Sequence, residues 1–308
     1  MISSFFNKAK PVHFLIVGIM LLSVFVWTKI SMTSMEFSFS AFFNQAMLFG
    51  LCMFSVLLLD FVTEKNNLTQ KNSFRILFFV LFFAMFPQTF LNSNALLANV
   101  LILLALRRII SMRSHLKLKK KLLDSAVLIS LATLVFFWSC LFFLLIFVAL
   151  FLFRIVDTKN WIIPFIGVSA VAVIVLAVQI VIGNDTNTYF NMLDYSVSFD
   201  FTNLNSMQII ISTTIVLSYF IWSLFFYLKN LKGMTRNHKI SHLLVFVKII
   251  LATIILIIAP NKSGAEFIFM FAPLSIILTN YVEKVPEKWF KEILVWILIL
   301  TPVVGLIL

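Results

Sequence analysis

Acid–base groups are scarce in this chain: 12 Asp and Glu, four His and two Cys among 308 residues. General acid–base catalysis, metal ligation and thiol chemistry all need such groups to converge. No stretch reads as a Walker loop, G-x-S-x-G, H-E-x-x-H or C-x-x-C. His238 and His242 have the i, i+4 spacing that can chelate a metal on one helical face, but Lys239 lies between them and no acid or Cys is near. No metal site and no cofactor are expected. What remains is a set of single residues in turns. Glu36 and Asp194 are the candidate catalytic bases. Gln88, Asn92, Lys262, Asp185 and Asp200 are the candidate substrate-binding groups. Lys262 has two readings: contact with a phosphate, or a pair with Glu266 four residues on, across a helix start.

Two longer segments carry concentrated chemistry. Arg107–Lys121 reads RRIISMRSHLKLKKK, with Arg107, Arg108, Arg113, Lys117, Lys119, Lys120 and Lys121 and no acid. Such a run grips anionic lipid headgroups, each cation contributing about 1 kcal/mol near the surface, or serves as a topology anchor. Residues 183–206 read GNDTNTYFNMLDYSVSFDFTNLNS, without a cation. Rings that stack on sugar faces and carboxylates that accept hydroxyl protons occur together there. The same residues also make a solvated cap with its aromatics in the headgroup belt.

The elements that must position these groups are membrane helices. The chain is 62% hydrophobic and 12% charged, has 37 Phe, and has a mean hydropathy of +1.07. Soluble domains carry roughly 25% charged residues, so a soluble enzyme, a disordered chain and a small disulfide scaffold are excluded. Apolar segments fall at 13–30, 44–62, 75–91, 95–110, 122–138, 140–155, 162–182, 207–228, 243–259, 265–282 and 291–307. The expected fold is all-α: a polytopic transmembrane helical bundle of about 11 spans (10–11), one integral membrane domain over 1–308 with no separate soluble domain. The first apolar run lacks a small-x-small cleavage site and reads as a retained span. Residues 122–155 form a block barely long enough for two helices, so a tight hairpin that does not fully cross stays open.

Orientation follows from charge. With a cytoplasmic N-terminus and alternating crossings, every Lys and Arg falls in an inner loop except Lys29, Lys262 and Lys248. That partition accounts for the net charge of +12 without a nucleic-acid partner. Lys248, a turn or two into its span, is expected to snorkel to the inner surface.

Three stretches carry a resemblance: FPQTFLNSNALLANVLILLALRR, LFLFRIVDTKNWIIPFIGVSAVAVIVL and NKSGAEFIFMFAPLSIILTNYVEKVPEKWFKEILVWILILTPVVGLIL. Together they resemble a functionally uncharacterised family of polytopic inner-membrane proteins from Bacteroidota. The pattern of short helices and polar outer turns also looks loosely like polytopic glycosyltransferases and glycan polymerases that use polyprenyl-linked sugars. Those enzymes carry acids in the first outer loop; here residues 31–43 offer Glu36 alone. The resemblance implies a multi-pass protein of the bacterial inner membrane that handles lipid-linked glycans on the periplasmic face. Two alternatives stand beside it, a non-catalytic subunit or scaffold of a cell-envelope complex and a small-solute transporter. The expected partners are anionic lipids of the bilayer, a polyprenyl-linked glycan and an envelope protein.

Overall fold

In an apolar surrounding a backbone must satisfy its own N–H and C=O groups, and one chain segment can do that alone only as a helix. The computed structural model, which describes residues 2–32, 39–182 and 194–307, is built that way throughout. Its 12 α-helices are α1 (Ile2–Phe6), α2 (Pro11–Met32), α3 (Phe39–Asn66), α4 (Phe74–Met85), α5 (Ser93–Ser111), α6 (Leu118–Val135), α7 (Phe143–Leu152), α8 (Thr158–Ile182), α9 (Met207–Asn230), α10 (Arg236–Ile258), α11 (Ile268–Lys284) and α12 (Lys288–Ile307). Each of the eleven apolar segments overlaps one of the helices α2 to α12. Seven helices, α2, α3, α5, α8, α9, α10 and α11, are long and apolar enough to cross a membrane.

Helices α4, α6 and α7 fall short through charge or length. The first two turns of α6 hold Lys119, Lys120, Lys121 and Asp124. Helices α4 and α7 have 12 and 10 residues, which rise about 18 and 15 Å against a hydrocarbon core of about 30 Å. After Val135 the chain turns through a 3-10 helix, Phe137–Phe142, before α7 begins. The second limb of the 122–155 block is thus a 3-10 turn followed by a short helix, Phe137–Leu152 in all.

Helices α4 and α11 form the centre. Every residue of α4, FRILFFVLFFAM, is buried, and so is every residue of α11 from Ile268 to Val282. A helix apolar on all sides belongs inside a bundle. Between lipid-bathed helices no hydrophobic force acts, so van der Waals fit holds them, and here rings supply it. Phe271 of α11 packs on Phe79, Phe82, Phe83 and Phe86, with the Phe83 ring 5.3 Å away. Phe86 stacks on Phe267 at 4.2 Å, and the Phe83–Phe90–Phe25 series carries the contact out to α2.

Around this pair stand α2, α3, α5, α9, α10 and α12, with α6 and then α8 layered outside α5. The α6–α8 approach depends on Gly167, where an added Cβ would sit 2.6 Å from the Ala126 Cβ. In α8 only Asn160, Ile163, Pro164, Gly167 and Val171 are buried, so residues 172–182 stand clear of the rest.

Side-chain bonds tie one end of the bundle together. Arg75 is 2% exposed and sets its Nε 2.6 Å from Asp60 Oδ1. Its Nη1 donates to Thr69 Oγ1 and to the Gln70 carbonyl. Glu283 accepts from Asn72 and the Gln70 N–H, Asn280 donates to the Leu68 carbonyl, and Glu292 accepts from the N–H groups of Ile2 and Ser3. His13 Nδ1 lies 2.8 Å from Ser73 Oγ, and Tyr227 Oη 2.9 Å from His242 Nδ1. Two of the four histidines are thus internal ties between elements.

Candidate functional site

The two ends of the bundle carry different chemistry. At the end just described, α3, α5 and α6 enclose a hollow of about 320 Å³ lined by Lys65, Arg107, Arg108, Arg113 and Lys121. Asn66, Ser111 and Ser114 complete its wall. The hollow exists because α5 ends at Ser111 and the chain turns sharply: Met112–Ser114 is a 3-10 turn, and His115 and Lys117 take left-handed φ angles of 54° and 50°. That turn folds Arg113 and Lys121 back toward α3. Lys121 Nζ donates to the Ser111 carbonyl and to Ser114 Oγ. Of the seven cations in the basic run, four line the hollow. Lys117, Lys119 and Lys120 are exposed and do not. Lys65 is the member that the sequence did not single out, because all of α4 separates it from Arg107. The one sequence clue was its place at the end of an apolar run, among the basic turns that charge assigns to one side.

At the opposite end a cleft of about 370 Å³ is lined by Asn92, Asn94, Asp194, Asn261 and Glu266 on one side. The aromatic run Phe136, Phe137 and Trp138 forms the other wall. A second hollow of about 310 Å³ adjoins it through Asn92 and Asn94 and reaches Gln88 and Ser263. The break between α4 and α5 builds this site. Pro87–Phe90 forms a 3-10 turn after Phe86, and Asn92 caps α5 by accepting from the Ala95 N–H at 3.0 Å. Gly264, at φ 88°, lets the chain swing so that Glu266 accepts from the Gly264 N–H at 2.9 Å and from the Ser263 N–H. Gln88 Oε1 and Trp138 Nε1 are buried without a hydrogen-bond partner among the described residues.

The sequence-derived candidates separate accordingly. Gln88, Asn92 and Asp194 line the two hollows. Asp194 accepts from Ser196 Oγ and, at 2.7 Å, from Asn261 Nδ2. Asp200 is exposed and accepts from the Thr202 N–H at 2.9 Å; hydrogen bonds from Thr202 hold its carboxyl below the usual carboxylate range. Lys262 is 1% exposed and lines neither hollow. Its Nζ donates to the carbonyls of Ala259 (2.8 Å) and Ser198 and lies 4.6 Å from the Phe201 ring. Among the described residues no ion pair joins Lys262 to Glu266; the lysine pins the 194–204 segment onto the end of α10. Glu36 and Asp185 lie outside the described residues.

One placement corrects the sequence reading. Lys248 does not snorkel. It sits midway along α10, is 0% exposed, and its Nζ has no hydrogen-bond partner among the described residues. Asn99 on α5 is likewise fully buried with both amide atoms unpartnered. The snorkelling argument counted residues from the start of the apolar run, but α10 begins at Arg236, so the lysine is deeper than that count implied.

Twelve helices, seven of them long and apolar enough to span, with charge gathered at one end and amides at the other, define a helical membrane protein. Its sequence goes further. The chain belongs to the family of unknown function DUF6427, whose profile matches residues 6–305. No curated protein matches the chain, and no solved structure matches it.

Proposed function

We propose that this is a multi-pass protein of a bacterial inner membrane that binds the sugar portion of a lipid-linked glycan at the amide-lined cleft, with that end facing the periplasm and the basic end facing the cytoplasm. The carrying observation is the lining of the cleft. Asn92, Asn94 and Asn261 present both donors and acceptors, Asp194 and Glu266 accept, and Phe136–Trp138 forms an aromatic wall. Sugars offer hydroxyl donors and acceptors around an apolar ring face, which this lining complements. Charge supports the orientation, because the basic turns gather at one end.

Binding fits the cleft better than bond cleavage. Asp194 and Glu266 are both engaged as hydrogen-bond acceptors by neighbouring side-chain or backbone donors, which fixes their oxygens in place as acceptors for a ligand. The test is saturation-transfer NMR on the nanodisc-embedded protein with soluble oligosaccharides. Asn94→Ala and Asp194→Ala are each expected to weaken binding about tenfold. A wild-type protein that binds no neutral sugar refutes the reading. A subunit role in an envelope complex is favoured by one observation: residues 172–182 of α8 contribute nothing buried. Photo-crosslinking from Val178 to lipid alone would remove that support.

A further inference from the structure

The basic hollow at the other end goes beyond that reading. Three acids belong to the helices that form it, Asp60 and Glu64 on α3 and Asp124 on α6. Asp60 and Glu64 are directed away to Arg75, and Asp124 is taken up by one lining cation, Arg108. Asp60 lies 2.6 Å and Glu64 3.9 Å from Arg75, and Asp124 lies 3.2 Å from Arg108 Nε. Lys65, Arg107, Arg113 and Lys121 therefore line one hollow with no carboxylate partner among the described residues.

Their side chains are held rather than splayed apart into solvent. Arg107 lies over the Phe61 ring at 4.6 Å, and Lys65 lies over the same ring at 5.4 Å. Lys121 is fixed by Ser111 and Ser114. Arg113 Nη1 is buried and unpartnered. Gathering four like charges around one hollow costs repulsion, which an anion between them relieves. Arginine pairs add a geometric preference, since the guanidinium fork matches two oxygens of a phosphate.

We propose that this hollow binds a phosphate group carrying more than one negative charge: a phosphomonoester or a diphosphate. A phosphodiester brings one charge and two free oxygens. A phosphomonoester brings about 1.5 to 2 charges and three acceptor oxygens, which is the better match to four cations. The group arrives either on a membrane lipid or as a soluble phosphate.

The test uses the full chain in neutral detergent micelles, titrated with phosphatidate, phosphatidylglycerol or soluble pyrophosphate and read by native mass spectrometry. Phosphatidate or pyrophosphate is expected to bind about tenfold tighter than phosphatidylglycerol. Tight phosphatidate binding that pyrophosphate displaces poorly identifies a lipid source. Tight pyrophosphate binding with weak phosphatidate binding identifies a soluble one. The double variant Arg107→Gln/Arg113→Gln should lose about a hundredfold in affinity, and Lys119→Gln/Lys120→Gln, which removes equal charge outside the hollow, should stay within about twofold. Equal affinity for the two lipids with no pyrophosphate binding overturns the proposal. So does an equal loss in the two double variants, which would mean diffuse attraction. If the arginine variant does not fold, the wild-type comparison of the three ligands decides alone.

Discussion

The basic end and the amide end use their polar residues in opposite ways. At the basic end the acids are spent on structure: Asp60 and Glu64 on Arg75, Glu283 on the 70–72 turn, Glu292 on α1. The surplus cations are then left facing a hollow. At the amide end the described cations Lys29 and Lys262 are buried, Lys262 as a structural piece, and amides and carboxylates line the opening. In each case the charge type that is scarce at that end is engaged as a tie, and the plentiful type faces the space. A ligand is recognised by whatever the architecture has left over.

Breaking the tie at either end should separate structure from recognition. Arg75→Met leaves the half-buried Asp60 without its partner and Thr69 and the Gln70 carbonyl without their donor, and should destabilise the bundle by about 2–3 kcal/mol, measured as reversible unfolding in mixed micelles. Little loss would mean that the basic end is held by packing alone. Midway between the ends, Lys248→Met should act in the opposite direction. Removing a buried unpartnered ammonium is expected to stabilise by about 2–3 kcal/mol in the same assay. A destabilised Met variant would show that the lysine has a partner in the membrane and belongs to the comparison as a third polar region.

Lys262→Met should cost about 1–3 kcal/mol by leaving the Ser198 and Ala259 carbonyls without their donor. Its clearest sign is faster hydrogen exchange confined to residues 194–204, with the basic end unchanged. Asn92→Ala should cost about 1 kcal/mol through the lost cap of α5, and Asn92→Asp should recover most of it. Both variants are read by thermal melting. If Asn92→Asp melts like Asn92→Ala, the side chain's work lies in the cleft and not in the cap.

Much of this arrangement was legible in the residues themselves. Runs without charge located each of the helices α2 to α12, and the cationic turns located the basic end, because both signals are local in the sequence. Local signals also found Gln88, Asn92 and Asp194, polar groups in turns between apolar runs. They were silent on three things. Lys65 joins Arg107 only through the packing of α3 on α5. Lys262 reads like a surface cation until the 194–204 segment folds over it. Lys248 reads like a helix-end residue until the start of α10 at Arg236 is known. Each miss concerns what a side chain meets across space, which periodicity and charge counting do not encode.

The brevity of α4 bears on how the protein is made. Its twelve residues are too few to bridge a bilayer unaided, and the helix that shelters it, α11, emerges from the ribosome only after six further helices. Until then α4 has no lasting place in the lipid and must wait beside its earlier neighbours or in the insertion machinery. A nascent chain halted before Ile268 should therefore leave α4 open to proteases and quality control, and the central fold should close only once α11 has been made.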